Sequence, residues 1–77
     1  MSHSIISFDK VKTNQEVEIC NLIGPNCDKL KNMGFCENIK ICKFFENKNI
    51  VCTICGTKIA ISSELAKEIL VKNVDKL

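Results

Sequence analysis

Apolar residues recur at every second position in several short stretches of the chain, which is the pattern of half-buried β-strands. In the first stretch valine and isoleucine alternate with glutamate, and a later stretch is almost continuous in β-branched residues. Asparagine and glycine, which favour turns, separate these stretches. The pattern predicts five strands, over residues 16–22, 39–45, 50–55, 59–61 and 69–71.

Two segments between the predicted strands carry the signals of a helix start. Asn26 is a suitable N-cap for a helix that ends at Met33, because its side chain can accept a hydrogen bond from the first helical turn. Ser62 or Ser63 is placed in the same way before a second helix over about 63–68. The chain is therefore predicted to be mainly β, with two short helices.

The length of 77 residues limits the chain to one small domain. Five short strands joined by tight turns favour a small β-barrel, because closing the sheet removes exposed strand edges. We expect a single domain over 1–77, with the barrel at about 8–73 and a flexible N-terminus over 1–7 that includes His3.

The charge balance is mild, with 11 basic and 9 acidic residues and a net charge of +2. A dedicated nucleic-acid-binding domain of this size would carry a much stronger basic excess. We therefore expect no nucleic-acid partner.

Six cysteines in a short chain suit either a disulfide scaffold in an oxidising compartment or reduced thiols in the cytosol. The N-terminus lacks the basic and long apolar regions of a signal peptide. Charged residues also interrupt every stretch that could span a membrane. These features predict a cytoplasmic protein that is not embedded in the membrane and whose thiols are reduced.

Cys52 and Cys55 form the one Cys-x-x-Cys motif, a spacing that occurs in zinc and rubredoxin-type knuckles. A tetrahedral site takes two such pairs, and the other four cysteines are single in the sequence. Within a strand, residues three apart point to opposite faces of the sheet. We therefore expect no metal and no cofactor, and a zinc- or iron-binding module built on these two thiols remains the alternative.

Catalytic groups are scarce. The only histidine, His3, lies in the N-terminal tail, and the three glycines form no phosphate-binding loop. The carboxylates alternate with lysines, as is typical of a solvated surface. The sequence predicts that the protein is not an enzyme.

Phe44 and Phe45 are neighbours in a predicted strand, so alternation sends their rings to opposite faces of the sheet. One ring is then expected inside the barrel. The other lies outside, either covered by a helix or exposed as an apolar anchor for a partner protein. An exposed ring could also support weak self-association.

The order of these segments resembles the FeoA family, small cytosolic proteins of bacterial ferrous-iron uptake. The resemblance covers about residues 8–73, and it is carried by the segments 30–35 (Leu-Lys-Asn-Met-Gly-Phe), 37–41, 56–61 and 64–71. The family usually has glycine before its first two strands, where this chain has Asn14 and Asn38. Asparagine is the residue that next most readily adopts left-handed conformations, so the same turns are expected.

The resemblance implies an SH3-like barrel with inserted helices and no catalytic residues. It also implies an accessory role at FeoB, a membrane transporter of ferrous iron whose cytosolic part is a GTP-binding domain. A further alternative is the detached regulatory barrel of a metal-dependent repressor.

Overall fold

The computed structural model describes residues 5–73. These residues form six strands, one 3₁₀ turn and two short helices. In chain order they are β1 (Ile5–Ser7), the 3₁₀ turn (Phe8–Lys10), β2 (Glu16–Leu22), α1 (Cys27–Asn32), β3 (Lys40–Glu46), β4 (Asn49–Ile54), β5 (Thr57–Ser62), α2 (Ser63–Ala66) and β6 (Ile69–Asn73).

All six strands belong to one antiparallel sheet with the order β1-β6-β2-β3-β4-β5. The five strands from β2 to β6 are the predicted ones, and they have the strand order of an SH3-like barrel. The sheet is not closed by hydrogen bonds, so β1 and β5 are its two edges. A sixth strand, β1, lies in the segment where the sequence predicts a flexible N-terminus, and His3 lies outside the described residues.

The core is formed by the inward side chains of β2 to β6 together with residues of the 3₁₀ turn and the helices. Its fully buried members are aliphatic or phenylalanine side chains and one thiol: Phe8, Val17, Ile19, Leu30, Phe35, Ile50, Cys52, Ala66, Ile69 and Val71. No helix of the described part is long and apolar enough to cross a membrane.

The tight turns depend on left-handed backbone conformations at the expected residues. Asn14 and Asn38 have φ values of 63° and 70°, and Gly34, which follows α1, has 105°. The β4–β5 turn consists of Cys55 at 51° and Gly56 at 82°. Two consecutive left-handed residues form the turn that matches the twist of a two-residue hairpin.

The loop before α1 is held by a residue distant in the sequence. The carboxylate of Glu68 accepts hydrogen bonds from the Asn26 backbone N–H, at 3.0 Å, and from Asn26 Nδ2, at 2.9 Å. The Asn26 side chain makes no cap bond to α1 itself. In contrast, Ser62 caps α2 as predicted, since its hydroxyl accepts from the Leu65 N–H at 3.2 Å.

Candidate functional site

A β-bulge in β3 determines where the two neighbouring phenylalanines point. The register between β3 and β4 shifts between Lys43 and Phe45, which pair with Cys52 and Val51. A bulge of this kind opposes two residues to one and interrupts the alternation of side chains. The rings of Phe44 and Phe45 are 51% and 54% exposed. The expectation that one ring lies inside the barrel was therefore wrong.

Lys43 occupies the inward position beside the bulge, and it is fully buried. Its ammonium donates to the backbone carbonyl of Asp9 at 3.0 Å and to Glu46 Oε1 at 2.9 Å. It also lies 5.8 Å from the centroid of the Phe8 ring. Both hydrogen bonds lead away from the apolar core, so the aliphatic stem packs in the interior while the charge is neutralised at its margin.

The side chains that point away from the core on β3, β4 and β5 form a continuous surface, here called the outer face. Cross-strand pairing places Cys42, Thr53 and Lys58 in one row and Phe45, Val51 and Ala60 in the next. Residues paired across antiparallel strands share a face of the sheet. The outer face comprises Lys40, Cys42, Phe44, Phe45, Val51, Thr53, Lys58 and Ala60.

The outer face is apolar with a positive charge. The Lys58 ammonium lies 4.5 Å from the centroid of the Phe44 ring, a cation–π contact. Residues 40–62 contain four lysines and one glutamate. Lys40 lies opposite Glu18 of β2, and Glu46 is paired with the buried Lys43. Lys58 pairs with Thr53 and has no carboxylate beside it in this segment. The face can bind apolar side chains and anionic groups together.

The structure does not bring Cys52 and Cys55 together. Cys52 is buried in the core on β4, whereas Cys55 is exposed in the turn that follows. Burial, with a smaller effect from the neighbouring Cys42 thiol, raises the pKa of Cys52 to about 11. Cys52 therefore remains a protonated thiol at neutral pH. The segment before Cys55 is extended, as its β-branched residues predicted.

Other arrangements for chemistry are also missing from residues 5–73. These residues include no cluster of three or more His, Cys, Asp or Glu side chains able to hold a metal ion. They also enclose no pocket for a small substrate. Within this part of the chain, the outer face is the most distinctive surface.

No family model matches the sequence, and no curated protein matches it either. Solved structures do match, and they define the class: the chain has the SH3-like fold of FeoA proteins. One is the crystal structure of an iron uptake regulatory protein (FeoA), with a TM-score of 0.84 and 18% identity over 92% of this chain and 99% of that one.

Two further structures show how widely this fold is used. A FeoA-like protein from Clostridium acetobutylicum has a TM-score of 0.87 and 18% identity over 100% of this chain and 94% of its own. IdeR of T. acidophilum has a TM-score of 0.84 and 13% identity, and the match covers 96% of this chain but only 36% of IdeR.

Proposed function

We propose that this protein is a cytoplasmic, non-catalytic accessory factor of ferrous-iron uptake, which docks on the cytosolic GTP-binding part of a FeoB-type transporter and modulates transport. The observation that carries the proposal is the match to an iron uptake regulatory protein over 92% of this chain and 99% of the other. A chain that corresponds to such a protein along its whole length has the size and shape for the same kind of role.

Phe44 and Phe45 are the proposed contact residues. Buried aromatic side chains supply much of the binding energy in protein interfaces, and both rings are about half exposed. Covering the exposed half of a phenylalanine ring stabilises a complex by about 1 kcal/mol, before any polar contact is counted. Two rings together thus provide an anchor that suits a transient, regulated contact.

The proposal is tested by measuring binding and transport together. The protein is titrated against the purified cytosolic domain of the transporter by calorimetry, as wild type, as Phe44→Ser/Phe45→Ser and as Ile23→Ser. Ile23 is the matched control because it is an apolar residue directly after β2, 44% exposed and outside the outer face. We expect the double variant to bind at least tenfold more weakly and Ile23→Ser to bind as wild type.

Ferrous-iron uptake is then measured in cells that lack the protein and carry either the wild type or the double variant. We expect uptake to change when the protein is lost and only the wild type to restore it. No contact with the transporter, together with unchanged uptake, would reject the proposal.

A second candidate is a regulatory domain related to metal-dependent repressors, which the similarity to IdeR favours. In that role the chain would act on transcription through a DNA-binding partner. Co-purification with a DNA-binding protein, and a change in iron-dependent transcripts without any change in transporter binding, would favour this candidate over the first.

A further inference from the structure

Among the strands of residues 5–73, β5 has one edge without a neighbouring strand. It pairs with β4 on one side only, over six residues from Thr57 to Ser62. The two-residue turn makes Ile54 and Thr57 a hydrogen-bonded pair, and such pairs alternate along an antiparallel ladder. The backbone N–H and C=O groups of Lys58 and Ala60 therefore point to the open edge, and they make no backbone hydrogen bond there within residues 5–73.

This edge lacks two of the features that usually block strand addition, a bulge and a proline, and it carries one charged side chain, that of Lys58. Within residues 5–73, the opposite edge strand, β1, spans three residues. Long, regular edges are templates for another strand unless they are covered.

The open edge is continuous with the outer face. Lys58 and Ala60 have their side chains on that face, in the rows of Thr53 and Val51. A strand added beside β5 would extend the outer face by one strand and place every second side chain on that face, next to Lys58 and Ala60. The partner of Lys58 on β4 is Thr53, and the one carboxylate of residues 40–62, that of Glu46, is paired with Lys43.

We propose that the β5 edge binds an extended peptide segment of a partner protein, in which apolar side chains alternate with carboxylates. Its carboxylates lie on the side of the outer face, beside Lys58, and its apolar side chains lie on the opposite side, beside the partly buried Ile59. Backbone hydrogen bonds to Lys58 and Ala60 supply the pairing, and Lys58 selects the acidic sequence. This proposal rests on the docking role above and specifies the chemistry of the docked segment.

Two other occupants fit the observations less well. A second copy of the chain, paired β5 to β5, would bring two outer faces of the same charge to one sheet. A nucleic acid would satisfy the lysines and could stack on the phenylalanines, but it cannot pair with backbone groups along a strand edge, and the chain has no more than a mild net charge of +2.

The experiment uses the ¹⁵N-labelled protein and a synthetic probe, the acetylated and amidated heptapeptide Glu-Val-Glu-Val-Glu-Val-Glu. We expect saturable chemical-shift changes on β5 and the outer face, and amide exchange slowed at least tenfold at Lys58 and Ala60. The matched peptide with lysine in place of glutamate should bind at least tenfold more weakly. Two N-methylated versions of the acidic peptide carry the methyl groups either on the odd-numbered or on the even-numbered residues. One of the two should also bind at least tenfold more weakly, because it lacks the N–H groups that donate to the edge.

Variants of the protein separate backbone from side-chain effects. Ala60→Pro removes the edge-facing N–H and is compatible with an edge strand, so it should reduce affinity at least tenfold, whereas Ala60→Val should not. Lys58→Glu should weaken binding of the acidic peptide, and Lys31→Glu, the same change on α1, should leave it unaltered. If Ala60→Pro does not fold, the N-methylated peptides still test the edge on the wild-type protein.

Several outcomes would overturn the inference. Two concern the peptide: chemical-shift changes confined to β1, or binding that is insensitive to N-methylation. Two concern other occupants: tighter binding of a ten-nucleotide oligothymidylate than of the acidic peptide, or concentration-dependent slowing of amide exchange at Lys58 and Ala60 without peptide, which would indicate pairing of two copies of the chain. If none of the peptides binds but the transporter domain still binds through Phe44 and Phe45, this inference fails and the proposed function stands. If the acidic peptide binds but the transporter domain does not, this inference stands and the proposed function fails.

Discussion

Replacing Gly24 with alanine tests whether the Glu68 carboxylate organises the loop before α1. Gly24 has φ +95°, and a Cβ atom there would lie 2.7 Å from both Cδ and Oε1 of Glu68. Those atoms belong to the end of a flexible side chain, so the carboxylate can swing away. In doing so it loses its two hydrogen bonds to Asn26, at 3.0 and 2.9 Å.

The expected loss of stability has two parts. A left-handed alanine costs about 1–2 kcal/mol relative to glycine. The two hydrogen bonds to a charged, partly buried acceptor add about 1.5–3 kcal/mol. Gly56→Ala is the matched control, because Gly56 has φ +82° and a Cβ there would meet nothing within 4 Å. It should show the backbone part only, so Gly24→Ala should exceed Gly56→Ala by about 2 kcal/mol.

Stability is measured by urea unfolding with circular dichroism, since the chain has no Trp or Tyr for fluorescence. A difference of 2 kcal/mol corresponds to about 8–16 °C in Tm for a domain of this size. In a Glu68→Ala background, Gly24→Ala should cost no more than Gly56→Ala, because the contact and its hydrogen bonds are already gone. Equal costs for the two glycine variants in the wild-type background would refute the reasoning.

Three further predictions concern the Cys52 thiol, the N-cap of α2 and the metal content of the protein. Burial raises the pKa of Cys52 from its ordinary value of 9.0 to about 11 in the folded chain. The folded state therefore retains a proton that the unfolded state loses, and stability should fall by about 2 kcal/mol between pH 9 and 11. Cys52→Ala should lack this part of the pH dependence in otherwise identical urea titrations; an unchanged slope would contradict the assignment. Ser62→Ala should cost about 0.5–2 kcal/mol through loss of the cap to Leu65, measured against Ser63→Ala as control. Protein purified under reducing conditions without chelator should contain no stoichiometric zinc or iron by elemental analysis, whereas one ion per chain with thiolate coordination would restore the Cys52 and Cys55 alternative.

Most of the fold could be predicted because local patterns and tertiary packing agree. Residues 16–19 alternate cleanly and β2 has the predicted bounds, although a register shift between Ile19 and Asn21 places Leu22 in the next buried position. Asn14 and Asn38 were expected in left-handed turns, which they form. β1 was missed because Ile5–Ser7 is too short for a period to be visible and depends on its pairing with β6. Six cysteines likewise gave no prediction of burial, since thiols are equally compatible with core and surface.

The bulge in β3 is the feature of the candidate site that alternation could not predict, and it brings Glu46 to the buried ammonium of Lys43. Without the bulge, the register from Lys43 and Cys52 would continue, and Phe45 would pair inward with Ile50. Glu46 would then point outward, away from the buried ammonium. With the bulge, Glu46 pairs with Ile50 and reaches the ammonium at 2.9 Å.

The magnitudes favour the bulged register. Lys43 is fully buried but the Glu46 side chain is 42% exposed, so the contact is counted as one hydrogen bond to a charged group, about 1.5–3 kcal/mol. Leaving a phenylalanine ring half exposed forgoes about 1–1.5 kcal/mol of burial. Supplying the buried ammonium with this acceptor outweighs burying the ring, so both rings remain on the outer face.

Lys43→Met should therefore remove the reason for the bulge while its side chain still fills the core. Phe45 should turn inward toward Ile50, which is measured as new nuclear Overhauser contacts between their side chains, and the outer face should lose one of its two rings. Glu46→Gln is the control, since the amide oxygen can still accept from the ammonium and the bulge should persist. If Phe45 stays outward in Lys43→Met, the turn that follows β3, and not the buried charge, sets the register.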